Sequence, residues 1–320
     1  MKIFLTGATG FVGSHFLKRL LSDGHEVICH IRSFSGIKTI EARGGSYWLG
    51  SLDDIEGLQT PLHDCDAVIH CAAYLKFWGP EKEFEEANIG ITKNLLEAAK
   101  IAQVRRFIFI SAASVAMNER KALIDIDESQ PYCSSPEFPY SRTKAIAEQL
   151  VLSAHGSQLK TIALRPPFIW GAGDAVDKQI GKAANQGQFA WFDGGQYPYA
   201  TCHIDNLSHA VSLALKQELN GSACFVDDQS DLTFREFMTQ RLRVGGYKVP
   251  NLSLPTSLAY KIAGFIEFIW RTLNLKTDPP LVREMVRLMG YGFSISTSNA
   301  QKVLGYEPAT SIKEGLNKLR

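Results

Sequence analysis

Several features are scarce in this 320-residue chain, and each absence argues against a class of protein. Lysine plus arginine (34) nearly balance aspartate plus glutamate (33), and no basic run stands out, so binding of nucleic acid has no electrostatic support. The six cysteines form no CxxC pair, which argues against a zinc site or a disulfide framework. Reduced thiols in a cytoplasm are expected, and no bound metal is predicted.

Long uninterrupted apolar runs are also missing. The stretch most rich in apolar residues is Leu254–Leu275, but Lys261, Glu267 and Arg271 interrupt it, and three charges are costly inside a bilayer. We expect an amphipathic helix that covers a pocket, with a helix lying on a membrane surface as the lesser alternative. The first residues read as a strand rather than a charged leader, so a cytoplasmic location is predicted.

The chain is organised around its first thirteen residues. Lys2–Thr6 reads as a buried strand, Gly7–Gly13 (GATGFVG) as a glycine-rich turn, and Phe11–Leu21 carries apolar residues at helical spacing. Such a turn gathers backbone N–H groups and the positive end of the helix dipole, which suits the diphosphate of a dinucleotide. The spacing is GxxGxxG rather than GxGxxG, and a tight turn without a ligand is the alternative.

Apolar strand segments alternate with helical segments along the first half. Further strands are predicted at Glu26–Ile31, Tyr47–Leu49, Asp66–Cys71, Phe107–Ser111 and Thr161–Leu164. This alternation predicts an α/β fold with a Rossmann-type doubly wound parallel sheet. We assign residues 1–165 to a nucleotide-binding domain and 166–320 to a smaller C-terminal substrate-binding lobe, interleaved with the last strands of the sheet.

Arg32 follows the second strand, roughly 20 residues past the glycines, at the position that recognises the adenosine ribose. An acidic side chain there would favour NAD, whereas an arginine suits the additional phosphate of NADP. NADP is therefore the predicted cofactor, with NAD as the alternative. The competing interpretation is an ordinary solvated arginine.

Tyr140 and Lys144 lie four residues apart in a helix that opens at Pro139, so their side chains share one face. A nearby ammonium favours the phenolate, and we expect Lys144 to lower the pKa of Tyr140. The pair can then move a proton while a hydride passes to or from a carbonyl carbon. YxxxK is common by chance, so its meaning depends on the glycine turn that precedes it.

Several motifs together resemble the extended short-chain dehydrogenase/reductase superfamily, also known as the NAD-dependent epimerase/dehydratase superfamily. They are Thr6–Gly13 (TGATGFVG), Cys71–Ala73 (CAA), Tyr140–Lys144 (YSRTK) and Leu164–Asp174 (LRPPFIWGAGD). Within it the chain resembles the 3β-hydroxysteroid dehydrogenase and dihydroflavonol-4-reductase-like branch. Cys202–Leu207 (CHIDNL) and Ala300–Pro308 (AQKVLGYEP) are similar to later parts of that branch, so the resemblance covers nearly the whole chain.

The resemblance implies that Tyr140 transfers the proton and that Lys144 assists it. It also implies cofactor contacts from the glycine turn and from the loops at one edge of the sheet. The predicted contacts are Thr6, Gly7, Thr9, Gly10, Phe11, Val12, Gly13, Arg32, Ser51, Leu52, Ala72, Ala73, Asn88, Ser111, Tyr140, Lys144, Pro167, Phe168 and Ile169. A homodimer built on helices Lys82–Ala102 and Tyr140–His155 is a further expectation from the resemblance.

The chain departs from the family pattern at two places. Relatives usually place a Ser or Thr three residues before Val115 to hold the reacting oxygen, but Ala112 stands there. Ser111 and Ser114 are the candidate substitutes, and we expect Ser114 to serve better, because Ser111 is a strand residue that points to the other face. The second departure is Gly50–Leu52, which lacks the usual Asp for the adenine; Ser51 is a partial substitute.

We predict an NAD(P)-dependent oxidoreductase that acts on the carbonyl or secondary alcohol of a bulky apolar molecule. The many aromatic residues of the second half favour a steroid, a flavonoid-like ring or a β-keto-acyl chain. A nucleotide-sugar epimerase or dehydratase with retained NAD is one alternative, and a cofactor-binding scaffold with little turnover is another. His70 and His203 are interpreted as structural residues.

Overall fold

The centre of the molecule is a seven-stranded parallel sheet, and the computed structural model describes it together with the rest of residues 1–320. The whole chain has thirteen strands, of which seven form this sheet. They are β1 (Lys2–Thr6), β2 (Glu26–Ile31), β3 (Ser46–Leu49), β4 (Ala67–His70), β5 (Arg106–Ile110), β6 (Leu123–Ile126), β7 (Lys160–Arg165), β8 (Phe168–Trp170), β9 (Trp191–Phe192), β10 (Thr201–His203), β11 (Ala223–Phe225), β12 (Ser253–Leu254) and β13 (Phe293–Ile295). The large sheet runs β3-β2-β1-β4-β5-β7-β11. The predicted Rossmann-type fold is confirmed.

Helices flank the sheet and build the C-terminal lobe. They are α1 (Phe11–Ser22), α2 (Ile37–Glu41), α3 (Gln59–Leu62), α4 (Glu81–Phe84), α5 (Ile91–Ile101), α6 (Pro139–Ser153), α7 (Gly181–Asn185), α8 (Ile204–Lys216), α9 (Phe234–Val244), α10 (Thr256–Thr272), α11 (Arg283–Met289), α12 (Ser298–Leu304) and α13 (Ile312–Asn317). A π-helical segment, Glu85–Gly90, joins α4 to α5, and a 3₁₀ turn, Ala113–Ala116, follows β5. No helix has the length and apolarity needed to cross a membrane.

Both faces of the sheet are buried, which explains the nearly continuous apolar sequence of its strands. In β1, Ile3 and Leu5 belong to one apolar core and Phe4 to the other, because successive side chains point to opposite faces. The strand order reverses between the neighbours β1 and β4, because β2 and β3 follow on one side of β1 and β4 begins the other side. A crevice at the carboxyl ends of strands is where open α/β sheets bind ligands, and every predicted cofactor element lies on that side.

The lobe is held by three short parallel strand pairs: β8 with β10, β9 with β12, and β6 with β13. The segment from Met117 to Phe138 reads as a loop in sequence, but it contains β6. The buried residues Leu123 and Ile126 are three positions apart, an interval that does not follow the alternation of a strand, so the sequence pattern of this four-residue segment does not predict β6. The pairing ties the nucleotide half of the chain to the lobe.

Candidate active site

The glycine turn is shaped by close backbone contacts. Gly7 has a φ of +76°, and a Cβ on it would lie 2.9 Å from the Ala72 nitrogen. A Cβ on Gly13 would lie 2.3 Å from the Gly7 oxygen, so neither position accepts a side chain. The N–H groups of Phe11, Val12 and Gly13 make no hydrogen bond within the chain. Free amides at the start of α1 fit the diphosphate of a dinucleotide.

The ends of β1 and β4 are joined by a buried polar network. The Thr6 hydroxyl lies 2.7 Å from His70 Nδ1 and accepts the Ala72 N–H at 3.1 Å. His70 Nε2 lies 3.1 Å from the Thr92 hydroxyl, and burial lowers the pKa of His70 to about 3. His70 is therefore neutral and hydrogen-bonded through both ring nitrogens, which is a structural role. The Thr6 side chain faces this network, while Ala72 and Ala73 continue along the sheet edge.

Arg32 is exposed directly after β2 and forms no ion pair, so its guanidinium is free for a ligand. The loop that carries it packs against the glycine turn, since a Cβ on Gly36 would lie 3.2 Å from Thr9 Cγ2. Ser51, after β3, is exposed and its hydroxyl accepts the Asp53 N–H at 3.1 Å. The neighbouring Leu52 is buried in the core and offers only backbone at the surface.

Tyr140 and Lys144 are both buried on α6. The Tyr140 ring packs edge-on against Phe77 with centroids 5.7 Å apart, and its hydroxyl has no hydrogen-bond partner in the chain. Lys144 Nζ donates to the Ile110 carbonyl at 2.7 Å and lies 3.9 Å from the Phe109 ring centre. The lysine therefore sits at the carboxyl end of β5, beside the crevice.

The pKa shifts of this pair differ from the expectation of a lowered tyrosine pKa. Burial raises the pKa of Tyr140, and the Glu284 carboxylate raises it further. Burial lowers the pKa of Lys144 to about 7, although Glu148 acts in the opposite direction. Desolvation outweighs the expected effect of the ammonium, because both groups are enclosed by protein. Tyr140 consequently holds its proton at neutral pH.

The two candidate serines differ in what they contact. The Ser111 hydroxyl donates to the Glu148 carboxylate. Ser114 lies in the 3₁₀ turn after β5, which packs against α6, and its hydroxyl is buried without any hydrogen-bond partner. A buried hydroxyl without a partner costs free energy, and a catalytic role is one physical explanation for such a group. Ser114 is thus free to hold a substrate oxygen, and Ser111 is already engaged.

Glu148 is the centre of a group that we call the sheet-side cluster, formed by Ser111, Tyr132, Glu148 and Arg165. Arg165 donates to the fully buried Glu148 carboxylate through Nε at 3.0 Å and Nη2 at 2.6 Å. The Tyr132 hydroxyl donates to the same carboxylate at 2.8 Å. These bonds fix α6 to β7 one turn beyond Lys144. The sequence reasoning did not single out Glu148 or Arg165.

A second group, the lobe-side cluster, consists of Ser141, Glu284 and Arg287. The Glu284 carboxylate accepts the Ser141 N–H at 2.9 Å, the Ser141 hydroxyl at 2.6 Å and the Tyr140 N–H at 3.3 Å. Arg287 donates to the Ser141 hydroxyl at 2.8 Å. Since α6 begins without a side-chain cap of its own, Glu284 on α11 caps it from the lobe. Nothing local in the sequence signals this role.

Two other predicted contacts lie around the same helix. Asn88, in the π-helical segment, accepts the Tyr74 N–H at 2.8 Å and donates to the Thr143 hydroxyl at 3.1 Å. It thereby connects the loop after β4 with α6. Pro167–Ile169 is half-buried where the chain leaves β7 and enters β8. Its three residues lie at the border of the sheet and the lobe.

Comparisons with known proteins identify the family. The model of the 3-beta hydroxysteroid dehydrogenase/isomerase family matches residues 4–256. A ketoreductase of Stigmatella aurantiaca, specific by name for 4-hydroxy-2-methyl-3-oxo-4-farnesyl-3,4-dihydroquinoline-1-oxide, is 34% identical over 100% of this chain and 96% of its own. The 2-alkyl-3-oxoalkanoate reductase of Stenotrophomonas maltophilia is 31% identical over 100% and 98%.

Among solved structures, that of gox2253 superposes with a TM-score of 0.79 at 25% identity, covering 99% of this chain and 96% of the other. The predicted class, a dehydrogenase or reductase acting on hydroxyl or keto groups, is confirmed. The match extends over most of the chain and includes the glycine turn and the Tyr140–Lys144 helix. The chain therefore belongs to the 3-beta hydroxysteroid dehydrogenase/isomerase family, within the extended short-chain dehydrogenase/reductases.

Proposed function

We propose that this protein is an NADPH-dependent reductase of ketones on bulky apolar molecules. The main support is a pair of hydroxyls that have no hydrogen-bond partner in the chain: Tyr140 on α6 and Ser114 on the turn packed against it. A glycine turn with free amides completes the site. Two hydroxyls of this kind can hold one carbonyl oxygen, and one of them can protonate it. From the sequence, Ser114 is the expected second hydroxyl and Ser111 the alternative, and the free Ser114 hydroxyl supports the first of these.

The residues divide the chemistry as follows. The nicotinamide, when bound, supplies the hydride that reduces the carbonyl carbon. Tyr140, which keeps its proton at neutral pH, donates it to the carbonyl oxygen as the hydride adds, so the ketone becomes a secondary alcohol. Ser114 donates a hydrogen bond to the same oxygen. Lys144 would stabilise the phenolate that remains and hold the cofactor ribose, and the free amides of Phe11–Gly13 would hold the diphosphate.

NADPH rather than NADH is supported by the exposed, unpaired Arg32 at the end of β2. We expect Arg32→Ala to raise the KM for NADPH about tenfold and to leave the KM for NADH unchanged, because only NADPH carries the additional phosphate. Steady-state assays with both cofactors measure this. Equal changes for the two cofactors would contradict the assignment of Arg32.

The substrate class rests on the lobe and on the relatives. Half-buried Phe168 packs edge-on against Phe237, with ring centres 6.2 Å apart, beside the crevice. Two relatives are by name reductases of ketones that carry a farnesyl or an alkyl chain. A 2-alkyl-3-oxoalkanoate is therefore the first substrate to test, followed by a steroid ketone and a flavonoid ketone. A sugar nucleotide serves as the probe for the epimerase alternative.

Tyr140→Phe tests the catalytic assignment. We expect about a 10²- to 10⁴-fold loss of kcat for ketone-dependent NADPH oxidation, since the phenol proton is the general acid. The matched control is Tyr47→Phe, at a half-exposed tyrosine on β3, which should keep the parent rate. Full activity in Tyr140→Phe would rule out Tyr140 as the proton donor.

Ser114→Ala and Ser111→Ala separate the two serines. Loss of an oxygen-holding donor costs about 10²- to 10³-fold in kcat, and we expect this for Ser114→Ala with little change in stability. Ser111→Ala should instead lower stability by about 1 kcal/mol, because it removes a donor to the buried Glu148. Turnover and urea unfolding of both variants measure the difference. The reverse outcome would assign the role to Ser111.

We also propose a cytoplasmic location and a homodimer. The six cysteines are unpaired, which supports a reducing compartment. The helices α5 and α6 lie side by side, as the expected four-helix contact requires. Light scattering of the purified protein measures the oligomeric state, and a monomeric mass would contradict the dimer.

A further inference from the structure

Helix α10 is apolar on two opposite faces. Its inner face, with Ala259, Tyr260 and Ala263, packs in the lobe. Its outer face, which points away from these residues, presents large apolar side chains to solvent. The exposed ones are Leu258 (45% exposed), Ile262 (38%), Phe265 (64%) and Phe268 (64%), continued by Leu273 and Leu275. A helix of this kind at a protein surface normally carries polar residues on its outer side, so the face lacks a partner.

The unpaired charges of residues 256–278, the segment that carries this outer face, have one sign. Within residues 256–278, three basic residues are exposed and form no ion pair. They are Lys261, Arg271 and Lys276. Both acidic residues are neutralised, since Glu267 pairs with Arg283 at 2.7 Å and Asp278 lies 3.8 Å from Lys76. The chain as a whole carries a net charge of only +1, so this is a local excess. It is complementary to a negatively charged surface.

The outer face is also continuous with the candidate active site. The loop after β4 lies beside the end of α10, because the Arg271 guanidinium stands 5.2 Å above the Trp78 ring. In that loop Leu75 is 66% exposed, which extends the apolar surface. Phe77, one residue before Trp78, contacts the ring of Tyr140. One loop thus connects the outer face with the predicted proton donor.

We propose that the outer face of α10 docks on the surface of an anionic lipid bilayer. Phe265, Phe268 and their apolar neighbours enter the interface, while Lys261, Arg271 and Lys276 contact lipid phosphates. The helix lies along the surface, consistent with the absence of a helix able to cross it. A second copy of the chain fits this face less well. In a two-fold contact the same unpaired cations would meet each other.

Vesicle sedimentation with the full-length protein tests the docking without any turnover, so its failure is distinct from failure of the proposed reductase function. The probes are vesicles of equal parts phosphatidylcholine and phosphatidylglycerol, and vesicles of phosphatidylcholine alone. We expect binding to the anionic vesicles, weaker binding to the neutral ones, and loss of the difference at high salt.

The double variant Phe265→Ser/Phe268→Ser should bind the anionic vesicles about tenfold or more weakly, because two buried aromatic side chains are lost. The matched control is Ile101→Ser, at a residue 58% exposed at the end of α5, which should bind like the parent. Circular dichroism and urea unfolding check that both variants fold. These positions are exposed, so the fold should persist.

Three outcomes would overturn the proposal. The parent protein could fail to sediment with anionic vesicles, or the double variant could bind as tightly as the parent. Alternatively, light scattering could detect a dimer that the double variant abolishes while vesicles bind neither protein. That third result would assign the outer face to a second copy of the chain.

Discussion

The two buried clusters on α6 show how one helix can be held by two parts of the molecule for different purposes. The sheet-side cluster is built wholly from residues before 166, and its Glu148–Arg165 pair anchors the helix to the sheet. The lobe-side cluster brings Glu284 and Arg287 from far along the chain to the first turn. The first cluster is a structural anchor, and the second reaches the backbone of the predicted proton donor.

This difference has a consequence for the chemistry. Lys144 lies one turn from Glu148; burial lowers the pKa of Lys144, and the Glu148 carboxylate of the sheet-side cluster only partly opposes this. Tyr140 takes its backbone hydrogen bond and part of its raised pKa from Glu284. Substitutions in the sheet-side cluster should therefore change stability most. Those in the lobe-side cluster should also change the pH dependence of turnover.

Arg165→Met gives the largest expected effect on stability. It leaves the Glu148 carboxylate buried without its cation, and breaking a buried pair in this way costs about 3–5 kcal/mol of unfolding free energy. Urea unfolding measures the loss. The control is Arg105→Met, whose partner Asp66 lies at the surface, and a change of about 0–1 kcal/mol is expected there. An equal loss of unfolding free energy in both variants would contradict the assignment of Glu148–Arg165 as an anchor that differs from the surface pair Arg105–Asp66.

Glu284→Gln should have a smaller effect on stability, about 1–3 kcal/mol, because the amide can accept only part of the three hydrogen bonds at the start of α6. The matched control is Glu267→Gln, a buried carboxylate of the same lobe that pairs with Arg283 and does not contact α6. Both should lose stability in urea. Only Glu284→Gln should alter the pH profile of turnover, and an equal shift in both variants would contradict a positioning role.

The pH dependence itself follows from the raised pKa of Tyr140. Alcohol oxidation needs the phenolate, so its kcat should rise as the pH increases above neutral, whereas ketone reduction needs the phenol and should not rise there. Because Glu284 contributes to the raised pKa, the rise in Glu284→Gln should begin at a lower pH. Rates in both directions across a pH series measure this. An oxidation rate independent of pH would contradict the assignment.

Tyr132→Phe is the smallest test. It removes one of several hydrogen bonds to Glu148 and retains the aromatic ring beneath the Arg165 guanidinium. We expect a loss of about 1 kcal/mol in urea unfolding. The pH profile should be unchanged, since Glu148 keeps its charge and its bonds to Arg165, and the sheet-side cluster does not contact Tyr140. A shifted profile would show that the two clusters are coupled through α6.

The sequence by itself determined the elements that depend on local pattern. Glycine spacing after an apolar strand predicts the turn at Gly7–Gly13, and a four-residue interval in a helix places Tyr140 and Lys144 on one face. The order of these motifs predicts the parallel sheet and the family. These inferences succeed because strand, turn and helix periods are written in neighbouring residues.

The tertiary structure decided what depends on distant partners. Strand alternation favours Ser114 over Ser111, but only the folded chain brings Glu148 to Ser111 and leaves the Ser114 hydroxyl without a partner. The cap that Glu284 supplies and the raised pKa of Tyr140 likewise arise from a helix far along the chain and from burial. Hydrogen-bond partners and desolvation are properties of packing, and no local period records them.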